Sequence, residues 1–382
     1  MELSAASFSY PQHDGPTRAE IARRLTASPA PDEGFVLSTC LRVEVAVSGP
    51  VSRLEALLDA LIGEVPAPPL VWTGEEALRH IYRIAAGLES PILGEQEILT
   101  QYRQALIDAE GAGRVDGLFA RLLEGAVSIG RQARELLPGS PHNSMAAVAA
   151  QVVGTADRVA VLGSGIMATA VVDGLALLPA PPQVTVVARH PEKVAERPGV
   201  EVLPFDHAPR TIAEYPAVIS ATSAKRRLVD DHELSAAVAG RDSPLLLVDM
   251  AMPPDFRPDV GDLISYVAID DLARMADRRP RSTEADLLVE TTAAEAYRNF
   301  RDHHEVGPLI AGLMAGADDI VDSTVRRFAG RLRDPSDEAL LRQSAHTVAR
   351  TLLAGPVSYL KTADRASDAV DVIAEAFGVE DD

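Results

Sequence analysis

The sequence predicts a multidomain α/β protein, and three observations carry that prediction. At 382 residues the chain is too long for one ordinary core and implies two or three domains at roughly 150 residues each. Between residues 158 and 249, four short apolar runs alternate with helical or loop stretches, the pattern of a parallel sheet covered on both faces. From Ser282 to Arg301 there is neither Pro nor Gly, and Ala, Glu and Leu dominate, as in a helical segment. The expected blocks are 1–140, mixed α+β; 141–281, parallel α/β; and 282–382, all helical.

Composition narrows the class. With 47% hydrophobic and 24% charged residues the chain is globular, and 4% aromatics with abundant Ala point to helix-rich, small-residue packing. No apolar run reaches the roughly 18 residues needed to span a bilayer. The opening Met1-Glu2-Leu3-Ser4 lacks the basic and apolar regions of a secretory signal. A single cysteine excludes an internal disulfide and fits a reducing cytoplasm. The net charge of −20 (36 basic against 56 acidic residues) is unlike a non-specific nucleic-acid binder. Any RNA contact then depends on local arginines, such as Arg131 and Arg134, or Arg278, Arg279, Arg281, Arg326, Arg327, Arg331 and Arg333.

In the first block, Gly34–Cys40 and Val43–Val47 read as two short strands broken at Leu41-Arg42. Residues 64–69 read as a loop. Leu78, Ile81, Ala85 and Leu88 share a helical stripe, as do Ile98, Tyr102 and Ala105, and then Leu118, Leu122, Ala126, Ile129 and Ala133. Pro138-Gly139-Ser140-Pro141 interrupts the pattern. The second block offers strands at 158–162, 183–188, 217–221 and 245–249. In the third, Ser282 to Asp286 is a helix N-terminus with acids at its positive end. Leu309, Leu313, Ile320 and Thr324 mark one further stripe, and Thr347 to Leu353 another.

Gly163-Ser164-Gly165-Ile166-Met167-Ala168 fits G-x-G-x-x-G/A directly after a strand and opening a helix. The first glycine allows the turn, the second lets a pyrophosphate approach the backbone, and the small Ala168 lets helix and strand pack closely. A helix N-terminus there offers free N–H groups to phosphate. An NAD-preferring site would end the next strand with Asp or Glu, whereas this chain has Ala188-Arg189-His190. Arg189 suits a 2′-phosphate, so NADPH is the expected cofactor. Ser220-Ala221-Thr222-Ser223, following the next apolar run, brings small hydroxyl residues to where a nicotinamide pocket would be, or forms a polar turn.

Cys40 sits in Ser38-Thr39-Cys40-Leu41-Arg42. Free cysteine is often just a small buried hydrophobe. Here Arg42, two residues on, is expected to stabilise a thiolate. A thiolate can take an acyl group from an activated ester, and hydride can reduce that thioester to an aldehyde. His80 falls on the more polar side of its helix, as a surface residue or a catalyst. Residues 87–101 interrupt two helices with paired glycines, a proline and several acceptors, yet keep apolar Ile92-Leu93. Such a segment presents Ser90, Glu95 and Gln101 to a small polar ligand, or forms a helical corner.

Together these residues resemble the glutamyl-tRNA reductase family, NADPH enzymes that begin tetrapyrrole synthesis. Residues 38–45 look like its S-T-C-N-R-x-E segment, 80–90 like H-L-F-R-V-A-x-G-L-D-S, and 94–101 like G-E-P-Q-I-L-G-Q. The likeness continues through 248–253, Ile269-Asp270-Asp271-Leu272 and 352–356, so essentially the whole chain is covered. The resemblance implies a catalytic N-terminal domain, a Rossmann-like NADP domain and an all-α dimerisation domain on a long spinal helix, in a V-shaped homodimer. It implies Cys40 as nucleophile, His80 as a catalytic residue, and Thr39, Leu41, Arg42, Ser90, Glu95, Gln96, Glu97 and Gln101 around the substrate. Arg42 would pair with the substrate carboxylate. Gly163, Ser164, Gly165, Ile166, Met167, Ala168, Arg189 and Thr222 would hold NADPH.

The implied product is glutamate-1-semialdehyde, passed to an aminomutase, with aminoacyl-tRNA as substrate and no membrane partner. Three departures stand out. Leu41 replaces the family's Asn, Gln96-Glu97 replaces Pro-Gln, and Pro254 stands where Arg is usual. A carboxylate at 97 would repel an acidic substrate, so the alternatives are reduction of a different aminoacyl-tRNA or a non-catalytic tRNA- or cofactor-binding relative.

Overall fold

The computed structural model describes all of the chain except residues 1, 28–33, 64, 66, 116, 138–143, 223, 225–226, 257–262, 277–282, 330, 333, 335–336, 363–365 and 378–382. Pro138–Pro141, Ser223, Arg278, Arg279, Arg281, Ser282 and Arg333 fall outside the described residues, as does the side chain of Gln96. The chain divides into two compact units, 2–294 and 295–382.

The first unit opens with β1 (Leu3–Ser9), α1 (Gly15–Ala27), β2 (Phe35–Ser38), β3 (Arg42–Ser48), α2 (Val51–Leu61) and β4 (Leu70–Thr73). These strands form an antiparallel sheet in the order β2-β3-β1-β4. The expected strand pair is present as β2 and β3, with Phe35 opposite Ala46. Strand β1 and helices α1 and α2 were not anticipated from the sequence. In β1, Leu-Ser-Ala-Ala-Ser-Phe-Ser shows no clean apolar alternation because both faces are buried and its serines find partners.

Helices α3 (Gly74–Ala85), α4 (Gln96–Gly111) and α5 (Gly117–Glu135) complete this part and follow the three expected stripes. Helix α3 ends on Gly87 at φ 73°, and Leu88 N–H reaches back to Arg83 O at 2.9 Å. That is a glycine-terminated helix end in which a carbonyl of the last turn is satisfied from beyond the helix. Helix α5 crosses α3 closely: a Cβ on Gly130 would lie 2.6 Å from Ala85 O, and one on Gly125 would lie 2.2 Å from the Tyr82 hydroxyl.

Next come α6 (Met145–Val152), β5 (Arg158–Leu162), α7 (Ile166–Ala176), β6 (Gln183–Ala188), β7 (Val200–Pro204), α8 (Ala208–Glu214), β8 (Ala217–Ser220), α9 (Asp231–Val238), β9 (Leu245–Asp249), β10 (Ile264–Ala268) and α10 (Ile269–Met275). Their six strands are all parallel in the order β10-β9-β8-β5-β6-β7. The order reverses between β5 and β8, which is the doubly wound Rossmann arrangement, with its ligand crevice at that switch point. Val159 and Val161 point into one apolar core and Ala160 and Leu162 into the other, so both faces are covered. The first of these cores also contains Leu41 and Ile92 of the N-terminal domain, so the two domains share it.

Helix α11 (Thr283–Ala329) runs for 47 residues through Gly307 and Pro308. The helical segment expected to end near Arg301 and the Leu309–Thr324 stripe expected on a following helix therefore lie on one continuous helix, while the Thr347–Leu353 stripe lies on the next. In the second unit, α11 residues Val306, Leu309 and Leu313 pack with Leu353 and Leu360 of α12 (Asp337–Thr362) and Ile373 of α13 (Ala366–Phe377). Ile320, expected on that stripe, is exposed, and Val321 and Val325 are buried instead. A 3.6-residue period drifts away from a seven-residue spacing over several turns. Within the described residues no helix is long and apolar enough to cross a membrane.

The helix crossing yields a stability test. In an exposed helix interior Gly→Ala stabilises by about 1 kcal/mol. At Gly130 the added methyl meets backbone that cannot step aside, so overpacking of about 1–3 kcal/mol wins. Gly130→Ala is expected to lower the melting temperature. Gly111→Ala, where nothing lies within 4 Å, is expected to leave it unchanged or raise it slightly.

Candidate active site

A turn built by Thr39 presents Cys40. Its hydroxyl oxygen accepts the N–H groups of Leu41 at 3.3 Å and Arg42 at 3.2 Å, and Thr39 N–H donates to Arg42 O at 2.8 Å. This is the local side-chain bonding by which Thr favours turns over strands. The loop 87–94 faces it. A Cβ on Gly87 would lie 3.2 Å from Gly94 Cα, and both glycines have φ 73°, so the loop closes tightly on itself. Ile92 and Leu93 are buried, which explains apolar residues in a connecting segment.

Turn, loop and the start of α4 enclose a narrow pocket with about 310 Å³ of empty space, its open mouth included. Thr39, Cys40, Leu41, Arg42, Ser90, Glu95, Glu97 and Gln101 line it with Pro91 and Ile98. The residues singled out in three separated sequence segments thus converge. His80 is not on the lining. It is buried rather than on a polar helix face, because α3 packs on the sheet there: its ring stacks on Trp72 at 3.7 Å and its Nε2 lies 3.0 Å from Glu44 Oε2.

Electrostatics correct the expectation for the thiol. Burial, then the carboxylates of Glu95 and Glu97, push the Cys40 thiol up to about 12, while Arg18 opposes them. Arg42 is not the stabilising cation. Residues i and i+2 of a strand share a face, so Arg42 turns toward Glu44, with Nη1 3.4 Å from Oε1 and Nη2 on Glu89 O. Glu44 Oε1 also accepts Ser7 Oγ at 2.8 Å, directly across the sheet. The R-x-E spacing was the sequence signal for this buried network.

Glu95 and Glu97 are neighbouring carboxyls that both line the pocket. Burial and the like charge of Glu97 hold Glu95 well above the usual carboxylate range, with Arg42 and Arg134 opposing. Burial likewise raises Glu97, whose Oε2 has no hydrogen-bond partner. Arg134, a candidate RNA contact in the sequence, donates to Glu95 O at 2.9 Å and so braces the backbone of a lining residue from outside the pocket. Arg131 is exposed on the same helix.

Leu41 serves two surfaces. It lines the pocket, and it is buried in the core formed with Met250 and Ile269 at the carboxyl ends of β9 and β10. Tyr10 and Cys40 pack against that core. The thiol therefore lies at the strand-end edge of the parallel sheet, the side on which such sheets bind ligands.

The glycine turn fits a dinucleotide. Gly163 has φ 117°, and a Cβ there would lie 2.6 Å from Ala221 O and 3.4 Å from Thr222 Cγ2. Gly165, by contrast, has open space where a Cβ would stand, and it caps α7 with no side-chain bond. Ser164, Gly165 and Ile166 are exposed, Met167 is half-buried, and Ala168 is buried against the sheet. Uncapped N–H groups at a helix start, beneath open space, suit a pyrophosphate. Arg189 is exposed just beyond the end of β6.

Thr222 lies beside this turn, but its hydroxyl donates to Asp255 at 2.8 Å, as does Ser220 Oγ at 2.6 Å. The hydroxyl thus holds the loop rather than facing the crevice freely. Asp255 is fully buried, and with Asp249, pushed up to about 7 by burial and by Asp255, it organises these strand ends. Neither was anticipated, since an acid in Met252-Pro253-Pro254-Asp255 carries no sequence mark of burial.

Comparison with known proteins agrees with this architecture. Residues 8–136 match the family model "Glutamyl-tRNAGlu reductase, N-terminal domain", 147–275 match "Shikimate / quinate 5-dehydrogenase", and 284–379 match "Glutamyl-tRNAGlu reductase, dimerisation domain". A glutamyl-tRNA reductase of Thermus thermophilus is 34% identical over 75% of this chain and 76% of its own. That of Salinispora arenicola is 30% identical over 87% and 79%. The solved glutamyl-tRNA reductase of Methanopyrus kandleri is 24% identical, covers 99% of both chains and has a TM-score of 0.48. On the two family-specific domain matches and the Thermus and Salinispora relatives, the chain belongs to the glutamyl-tRNA reductase family.

Proposed function

We propose that this protein reduces glutamyl-tRNA to glutamate-1-semialdehyde with NADPH, the first step of the C5 tetrapyrrole pathway, through a thioester on Cys40. The observation that carries it is the pocket itself: the chain's single cysteine meets Ser90, Glu95 and Gln101 at the ligand-facing edge of a dinucleotide-type sheet.

Cys40 Sγ bonds to the glutamyl carbonyl carbon as the ester C–O bond to the terminal ribose breaks. With its thiol pushed up to about 12, Cys40 is protonated at neutral pH, so its proton must leave as the S–C bond forms. The Glu95–Glu97 pair faces the sulfur and is the acceptor, and the proton passes on to the departing ribose oxygen. Two adjacent buried carboxyls share a proton below the elevated range of Glu95, and its loss from Glu95 as pH rises frees the base. A protonated partner also lessens the repulsion that Glu97 would otherwise exert on an acidic substrate. Arg42, joined to His80 through Glu44, shapes the pocket from behind. The 163–168 turn and Arg189 would hold NADPH, which would supply the hydride for reduction of the acyl-sulfur to an aldehyde.

The dimerisation-domain match supports a homodimer. Exposed Leu340, Val348, Leu352 and Tyr359 on α12 supply apolar surface for association. The protein acts in the cytoplasm, and its aldehyde passes to the aminomutase that follows.

Cys40→Ser is expected to abolish the acyl adduct seen by mass spectrometry and to cut reduction by at least about 10³-fold. Retained turnover with a charged tRNA would remove this mechanism. The carboxyl pair sets the pH dependence. Its base form appears only as pH rises through the elevated range, so single-turnover acylation should climb across neutrality. Glu97→Gln removes the like charge, lowers the range for Glu95, and should move that climb toward acid. A profile identical to wild type would exclude the pair as proton acceptor.

A further inference from the structure

Arg18 has no exposed side-chain surface although it carries a full charge. A guanidinium removed from water needs fixed acceptors on every side. Its Nη2 and Nε donate to the carbonyl oxygen of Cys40 at 2.8 and 3.2 Å, and its Nη1 donates to His13 O. Nη2 also reaches Asp270 Oδ1 at 2.5 Å. Asp270 lies on α10, two residues past the end of β10, and its Oδ2 accepts the Gly15 N–H at 3.0 Å. One carboxylate of the cofactor domain therefore holds the start of α1, where a negative charge meets a helix N-terminus. Through Arg18, the same carboxylate holds the main chain of the nucleophile. Arg18 is not on the pocket lining.

We infer that Arg18 and Asp270 are positioning residues for the reduction step, keeping the main chain at Cys40 in register with the strand-end edge of the cofactor sheet. The inference rests on Cys40 as acyl acceptor. An acyl group on that sulfur has two fates. In reduction, the carbonyl carbon gains hydride from NADPH and loses its C–S bond; the electron pair leaves on sulfur, which takes up a proton. In hydrolysis, the carbon gains a water oxygen instead, and free glutamate and thiol return with nothing oxidised. Register matters to the first fate and hardly to the second, because water needs no placement by the cofactor domain. A misplacement of about 1 Å can cost on the order of 10²-fold in a step between two positioned groups.

The test uses the full-length protein with Asp270→Asn. This variant keeps the shape and the Arg18 bonds to Cys40 O but removes the charge that ties the domains. Without NADPH, acylation of Cys40 by glutamyl-tRNA should keep its wild-type order of magnitude. With NADPH, single-turnover aldehyde formation should fall by on the order of 10²-fold, and free glutamate should replace aldehyde as the main product. Hydrogen exchange at the start of α1 should speed up in the absence of cofactor.

Arg18→Lys keeps the charge but loses the forked geometry; it should lower kcat for reduction with little change in KM for glutamyl-tRNA. Unchanged partition between aldehyde and glutamate in both variants would overturn the role. Acylation and reduction falling together, in step with a lower melting temperature, would reduce it to structural support and also overturn it. Absence of an acyl adduct on wild-type Cys40 is a separate result, and it removes the catalytic reading of the pocket itself.

Discussion

The interaction on which the rest depends is the pairing of the buried Arg18 with Asp270 beneath the Cys40 carbonyl. It crosses from the substrate-binding domain to the cofactor domain, with the guanidinium fully buried and the carboxylate 18% exposed. There a charge without its partner costs about 3–5 kcal/mol, whereas the same pair on the surface contributes under about 1 kcal/mol. The shared apolar core around Leu41, Ile92, Met250 and Ile269 seals the same seam. Hydrophobic contact supplies most of the cohesion across it and is tolerant of small slides. The forked ion pair is directional, so it selects one register among those that the apolar contact would accept.

Leu41 takes on a different meaning in that setting. Set against the family motif, it is a lost polar contact beside the nucleophile. In the folded chain it is 5% exposed and joins the core of the neighbouring domain, so the substitution trades a polar group for adhesion at the seam. Glu97 follows a similar logic. A second carboxylate in a pocket for an acidic substrate looks unfavourable only if both acids are ionised. Burial beside Glu95 makes a shared proton the lower-energy state, which lessens the negative charge that an acidic substrate meets.

Much of the fold was legible because the governing patterns are local. Short continuous apolar runs gave β5, β6, β8 and β9, and 3.6-residue stripes gave α3, α4 and α5. The turn at 163–168 and the R-x-E spacing after Cys40 each state a geometry within a few residues. Strand β1 was not legible, since its Ser-Ala-Ala-Ser centre becomes strand-like only when sheet neighbours and helices cover both faces. The buried state of His80 depends on Trp72 of another element. Arg18 and Asp255 look like ordinary surface residues in one dimension.

The sequence by itself therefore determined which residues carry chemistry: a lone cysteine between Thr39 and Leu41-Arg42, an acceptor-rich segment with paired glycines, and a phosphate-type helix start. Those identities rest on side-chain type and short spacing, which chain order records directly. Only the tertiary structure decided the charge state and the placement of that chemistry. It turned Arg42 away from the sulfur, set two carboxyls against it, and bound the nucleophile's main chain to the cofactor sheet through residues 252 positions apart. Burial and distance between remote segments set those energies, and neither is a property of neighbours along the chain.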